Sequence, residues 1–159
     1  MSDDISRFEA RLHRLLVASV GAPYKFGGRG MAGIDCSSVL MRAIRKSSGL
    51  KVSQLPWMTA NQMARGERDV TVASVGASPS ERCQLAFFDW DEDDVYEHAA
   101  ARLLDATWIW ASTSAGKVIR VDPNAPTIWE RQWREIDDAL KGPRSQLRQV
   151  NWFALATVR

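Results

Sequence analysis

The chain has 159 residues, 45% of them hydrophobic and 25% charged, which is enough apolar matter for a packed core and too much for a disordered segment. Its 21 basic side chains nearly balance 19 acidic ones, and a net charge of +2 gives no electrostatic basis for binding nucleic acid. No apolar run approaches the length of a membrane span, and two cysteines, Cys36 and Cys83, make no disulfide framework.

Residues 4–20 are predicted to form a helix, since Ile5, Phe8, Leu12, Leu15 and Leu16 recur at helical spacing and Gly21 follows as a stop. The opening MSDDISRFEARLHRLL is charged throughout and has no signal-peptide core, so the expectation is synthesis in the cytoplasm. GAPYKFGGRGMAGID is a loop whose glycines let backbone approach a ligand closely. A second helix is expected over residues 36–48, capped by Asp35, striped by Val39, Leu40, Ala43 and Ile44, and ended by Gly49. A short helical piece covers Thr59–Arg65. DVTVAS, QLAFFDW, EHAAARLL, TWIWAST and KVIRVD then read as strands. Residues 126–140 return to helical spacing, and QVNWFALATVR closes the chain as an expected strand. The order predicts one α+β domain over residues 1–159, with N-terminal helices packed on a central antiparallel sheet.

Cys36 falls at the first position of the second helix. Unpaired N–H groups and the positive dipole end there favour a thiolate, and the N–H of Cys36 itself can face a developing oxyanion. A free thiol titrates about 1.5 units above neutrality, so an enzyme must lower that value or supply a base. Only two histidines exist. His13 lies on the first helix, off its apolar stripe, and reads as solvated. His98 opens a strand, which holds a side chain rigidly, as a positioned base requires. Alone, each residue is more often structural: a buried Cys is usually a small hydrophobe. The pair, with its flanking pattern, points to a cysteine hydrolase.

GAPYKFGGRGMAGIDCSSVL resembles the nucleophile segment of the NlpC-type cell-wall cysteine peptidases, G-x-P-Y-x-x-G-G followed by D-C-S-G. Gly21, Pro23, Tyr24, Gly27, Gly28, Asp35, Cys36 and Ser37 fall in register. LPWMTANQMARG resembles their L-P-R-T-x-x-x-Q segment, with Gln62 in register and Trp57 in place of the arginine. EHAAARLL stands where the family has H-V-G-I, and WIWASTSAGKVIRV resembles its I-H-A-S strand pair. The resemblance implies a papain-like fold and hydrolysis of amide bonds in peptidoglycan stem peptides through an acyl-enzyme. Cys36 would be the nucleophile and His98 the base. Tyr24 would lie near the oxyanion site, with Asp35 and Ser37 shaping the substrate end of the groove.

Three positions depart from that pattern. Ser38 stands where the family has glycine after D-C-S. Cys83-Gln84 replaces a Gly-Asp turn, which leaves Cys83 as a buried inert thiol or as the far half of a regulatory 36–83 disulfide. Trp110 occupies the place of the residue that accepts the second imidazole N–H, and an indole offers only a donor. Ser112 shares a strand face with Trp110 and is a substitute acceptor.

Asp89, Asp91 and Asp93 mimic the first ligands of a calcium loop. Asp94 stands at its turn-glycine position and Ala100 at its bidentate glutamate, so a solvated acidic loop is expected, with charge that would raise the pKa of His98. Scattered Cys and His make no zinc pattern, and no metal or cofactor is expected. Trp108 and Trp110 should share one strand face as core. A bare domain of this type would suit a phage enzyme or a secreted effector that reaches the wall after lysis or through a delivery machine, with an immunity or inhibitor protein as a further partner. Two other functions stay open: a catalytically impaired module that binds wall peptides, and a cytosolic amide hydrolase or transferase.

Overall fold

A computed structural model describes residues 3–74 and 80–158. Helix α1, Asp3–Ala18, buries Leu12 and Leu16 completely. The glycine-rich loop carries a small ladder of β1 (Arg29–Gly30) with β2 (Gly33–Ile34). Helix α2 is Cys36–Ser48, as expected, because both ends are chemically marked. Asp35 accepts the Ser38 N–H at 2.8 Å, and Gly49, at φ 71°, turns its N–H back to the Arg45 and Lys46 carbonyls. Helix α3, Ala60–Ala64, is short and held by a reciprocal cap between Thr59 and Gln62.

The strands are β3 (Thr71–Ala73), β4 (Gln84–Phe88), β5 (His98–Arg102), β6 (Trp108–Ser112), β7 (Lys117–Val121) and β8 (Ser145–Val150). They form one six-stranded antiparallel sheet in the order β3-β8-β4-β5-β6-β7. Helix α4, Glu130–Lys141, lies between β7 and β8 in the chain.

Side chains alternate between two cores. Leu85, Phe87, Ala99, Ala101, Ile109 and Ala111 face α2. Phe88, Ala100, Trp108, Trp110 and Ile119 face the other way, with Ile136 of α4. Cover on both faces explains why QLAFF and WIWAS are continuously apolar instead of alternating.

The loop before α2 is pinned at both ends. Gly21 and Tyr24 donate to the Val118 and Gly116 carbonyls, each at 2.9 Å. At its other end Asp35 donates its N–H to the Gly28 carbonyl, and its carboxylate accepts the Gly27 N–H. A Cβ at Gly28 would stand 2.2 Å from the Gly33 carbonyl oxygen, so the two backbones meet only because glycine is there.

Two expectations are corrected. The closing segment is not a single strand: β8 begins at Ser145 and ends at Val150, and helix α5, Trp152–Val158, follows, with Arg159 outside the described residues. Asn151 starts that helix, its carbonyl accepting the Leu155 N–H and its side chain the Ala154 N–H. Trp152 and Leu155, three apart, are buried, and Trp152 stacks on Phe8 of α1 at 4.8 Å. His13 is not simply solvated either, because its Nδ1 accepts the Leu104 N–H at 3.3 Å and ties α1 to the β5–β6 turn.

Candidate active site

Cys36 stands at the head of α2, 8% exposed, and its thiol donates to the Glu97 carbonyl at 3.7 Å. Burial pushes the thiol up to about 11, and the Asp35 carboxylate adds to the rise. The amides of Ala99, Ser37 and Cys36 favour the thiolate but do not outweigh burial. At neutral pH the sulfur is therefore protonated, against the simple expectation from a helix N-terminus.

Glu97 and Ala99 flank His98, so the sulfur lies against the β5 backbone at the His98 position. Strand β5 pairs with β6 only at Ala101↔Ile109 and Arg102↔Trp108, which leaves the start of β5 without a β6 partner there.

The His98 ring occupies the other side of the strand. It stacks on Trp90 at 4.3 Å and on Phe88 at 6.0 Å, and Phe88 belongs to the core beneath α4. Burial holds the imidazole down to about 4, so the acidic loop does not raise it as expected. Its Nε2 is buried without a hydrogen-bond partner. Among the described residues no hydrogen bond joins Cys36 to His98.

Trp110 packs beneath α4 with Trp108, which in turn meets Trp133 of α4 at 6.1 Å. Ser112 is buried, and its Oγ is engaged by the Ala115 N–H at 3.1 Å and by Ser114 Oγ at 3.3 Å. Neither side chain reaches His98 Nε2. Tyr24 does lie near the sulfur: burial, then the proximity of Cys36 and Asp35, disfavours its phenolate. Asp35 and Ser37 are bonded to one another at 3.1 Å beside the thiol.

Cys83 is free, as is Cys36; both belong to the core that faces α2, Cys83 beside Glu9 and Arg82, where burial raises its thiol strongly. Asp89, Asp91, Asp93 and Glu97 bring carboxylate oxygens within 4.8 Å of one another, a set that could gather a cation. Glu97 escaped the spacing argument because it lies outside the Asp-x-Asp-x-Asp run. Asp89 is already committed to the Asp93 and Asp94 amides. Trp90 also went unread, although its place two residues beyond Phe88 puts it on the His98 face.

No family model and no curated protein matches the sequence. Solved structures do. The NlpC/p60 domain of the peptidoglycan hydrolase SagA aligns with TM-score 0.55 and 18% identity over 89% of this chain and 97% of its own. The chain has the NlpC/p60 fold. The peptidoglycan hydrolase RipB from Mycobacterium tuberculosis shares this fold at TM-score 0.55, with 21% identity over 79% of this chain and 64% of its own. An NlpC/p60 family protein from Bacillus cereus aligns at TM-score 0.53 and 21% identity over 77% of this chain and 37% of its own. Among the described residues no helix is long and apolar enough to cross a membrane.

Proposed function

We propose that this chain is a peptidoglycan hydrolase that cleaves amide bonds in stem peptides, with Cys36 as nucleophile and His98 as base. The observation that carries the reading is the Cys36 sulfur at the head of α2, pressed against the β5 backbone at His98 within the NlpC/p60 fold. SagA and RipB, which share that fold, are named as peptidoglycan hydrolases. In turnover the Cys36 proton passes to His98 as sulfur bonds to the scissile carbonyl carbon. The imidazolium returns that proton to the departing amine, and water then hydrolyses the thioester, restoring the thiol. The described arrangement is a resting one on this reading: His98 must leave Trp90, and the start of β5, which has no β6 partner, must turn over to carry the ring to the sulfur's side before it can take the proton.

A second reading is a wall-peptide-binding module without turnover. It is favoured by the protonated thiol and by the stacking of His98 under Trp90. Purified peptidoglycan incubated with the parent protein and with Cys36→Ala separates the two. New amine termini in the mass spectrum that depend on Cys36 support the hydrolase; binding without release from several wall types supports the module.

A further inference from the structure

The charges of this chain nearly cancel in total but are sorted in space. Asp89, Asp91, Glu92, Asp93, Asp94 and Glu97 fall in the single loop between β4 and β5, residues 89–97, which holds no Lys or Arg. Helix α2 holds Arg42, Arg45 and Lys46 and no carboxylate. Arg144 takes up Asp89 and Asp94, but among the described residues Asp91, Glu92, Asp93 and Glu97 have no cation in salt-bridge reach. Nor, among the described residues, do Arg11, Arg14, Arg42 and Lys46 have a carboxylate in reach. Arg11 donates instead to the Ser47 carbonyl at 3.1 Å, which sets α1 beside α2. Between those helices lies a cavity of about 110 Å³, with Leu15, Met31, Val39 and Ala43 as apolar lining and Arg42 and Lys46, one turn apart, beside them. Arg14 stands one turn before Ala18, which lines the cavity from α1. The space is far below the ~300–1,000 Å³ of a small-molecule site and has room for one aliphatic side chain.

We propose that this groove receives the 89–97 loop of a second copy of the chain, with Val95 in the cavity and the carboxylates of Asp91, Glu92 and Asp93 against Arg14, Arg42 and Lys46. Val95 is 46% exposed, directly follows the acidic run and is small enough for the space. A phosphate polymer would match the cations but offers nothing to the apolar lining, whereas the loop supplies both. Among the described residues no ion pair joins loop to groove within one chain, so both surfaces stay available to a neighbour. Groove and loop are different surfaces, so the contact is heterologous: each copy that uses one keeps the other, and association runs head to tail. The proposal stands apart from the hydrolase reading, since neither Cys36 nor His98 takes part in the contact.

Sedimentation velocity on the intact chain tests the contact. The mean mass should rise with protein concentration at low ionic strength, and raising salt from about 0.05 to about 0.5 M should weaken association about ten-fold or more. Arg42→Gln/Lys46→Gln and Asp91→Asn/Glu92→Gln/Asp93→Asn should each be monomeric alone; Asn at position 93 keeps the oxygen that accepts the Val95 N–H. Mixed, the two variants should form a one-to-one pair and nothing larger, because only the first keeps an acidic loop and only the second a basic groove. Pairing in the mixture also shows that both variants are folded. Val95→Ser should weaken the parent's association about five-fold or more. A parent that stays monomeric at low salt, a mixture that does not pair, or a Val95→Ser chain that associates like the parent would overturn the proposal. Association that survives in either charge variant alone would overturn it too, since it would use another surface.

Discussion

Trp90 lies flat on His98, with ring centroids 4.3 Å apart and planes 20° from parallel. Trp90 is 49% exposed while His98 is 7% exposed, so the indole is the layer between the imidazole and water. Its backbone N–H donates to Glu97 Oε1 at 2.8 Å, which fixes the loop over the strand that carries His98.

Trp90→Ala should raise the His98 pKa from about 4 toward 6.5, because burial is what holds the imidazole down. Imidazole proton shifts followed by NMR across pH 3–8 give the value. The linkage has a definite sign. A depressed His contributes stability that is present above pH 6.5 and is lost as pH falls toward 4, so the variant should lose less stability on acidification. An unchanged titration would mean that Phe88 and the strand, not Trp90, keep water out.

The Cys36 thiol should alkylate slowly at neutral pH, with a rate that climbs toward a midpoint near 11. Iodoacetamide labelling across pH 7–11, read on the Cys36 peptide by mass spectrometry, gives the profile. Asp35→Asn keeps an oxygen for the helix cap but removes a charge that opposes the thiolate. It should therefore shift the profile to lower pH. A profile identical to the parent's would assign the whole rise to burial.

The sequence made α2 legible to the residue, because Asp35 and Gly49 act locally and leave the same signature in any fold. The proposed Cys36–His98 pair was legible only as residue types. Period-two alternation shows that His98 and Ala99 point to opposite faces, yet it cannot show which face meets α2. That depends on α4 covering Phe88, Trp108 and Trp110, which is a tertiary fact. The closing segment failed for a related reason. Val150, Trp152 and Ala154 alternate as a strand would, while Trp152 and Leu155 also satisfy helical spacing. Asn151 decides the matter by capping.

Glu9 offers a separate test, of stability. It is fully buried on α1, paired with Arg82 at 3.2 Å, yet burial outweighs that pair and raises its carboxyl to about 7. A raised carboxyl contributes stability below its unfolded pKa of about 4.5 and loses it as pH climbs toward 7. The loss is on the order of 3 kcal/mol. Glu9→Gln should thus gain on the parent in urea unfolding as pH moves from 5 to 8. A difference that stays constant across that window would show that Glu9 does not titrate there.

Gly28→Ala places a methyl group 2.2 Å from the Gly33 carbonyl oxygen and 2.9 Å from that of Lys25. Neither contact is with a flexible side chain, so the loop must move. The expected cost is about 1–3 kcal/mol in thermal or urea unfolding. Because the Gly28 carbonyl holds the Asp35 N–H, faster Cys36 alkylation should accompany it. Gly30→Ala, where a Cβ meets nothing, is the control and should change neither measurement.

Arg82 reaches from the segment before β4 in two directions. One nitrogen donates to Glu9 of α1 and another to the Val150 carbonyl at 2.8 Å, just ahead of α5, while Phe8 and Trp152 stack across the same seam. The first and last helices are therefore interlocked through one side chain. Trimming α1 would strand a cation under α5 and strip the indole of its cover, so proteolysis at the front of the fold should be followed by fraying at its back, with the two ends leaving together.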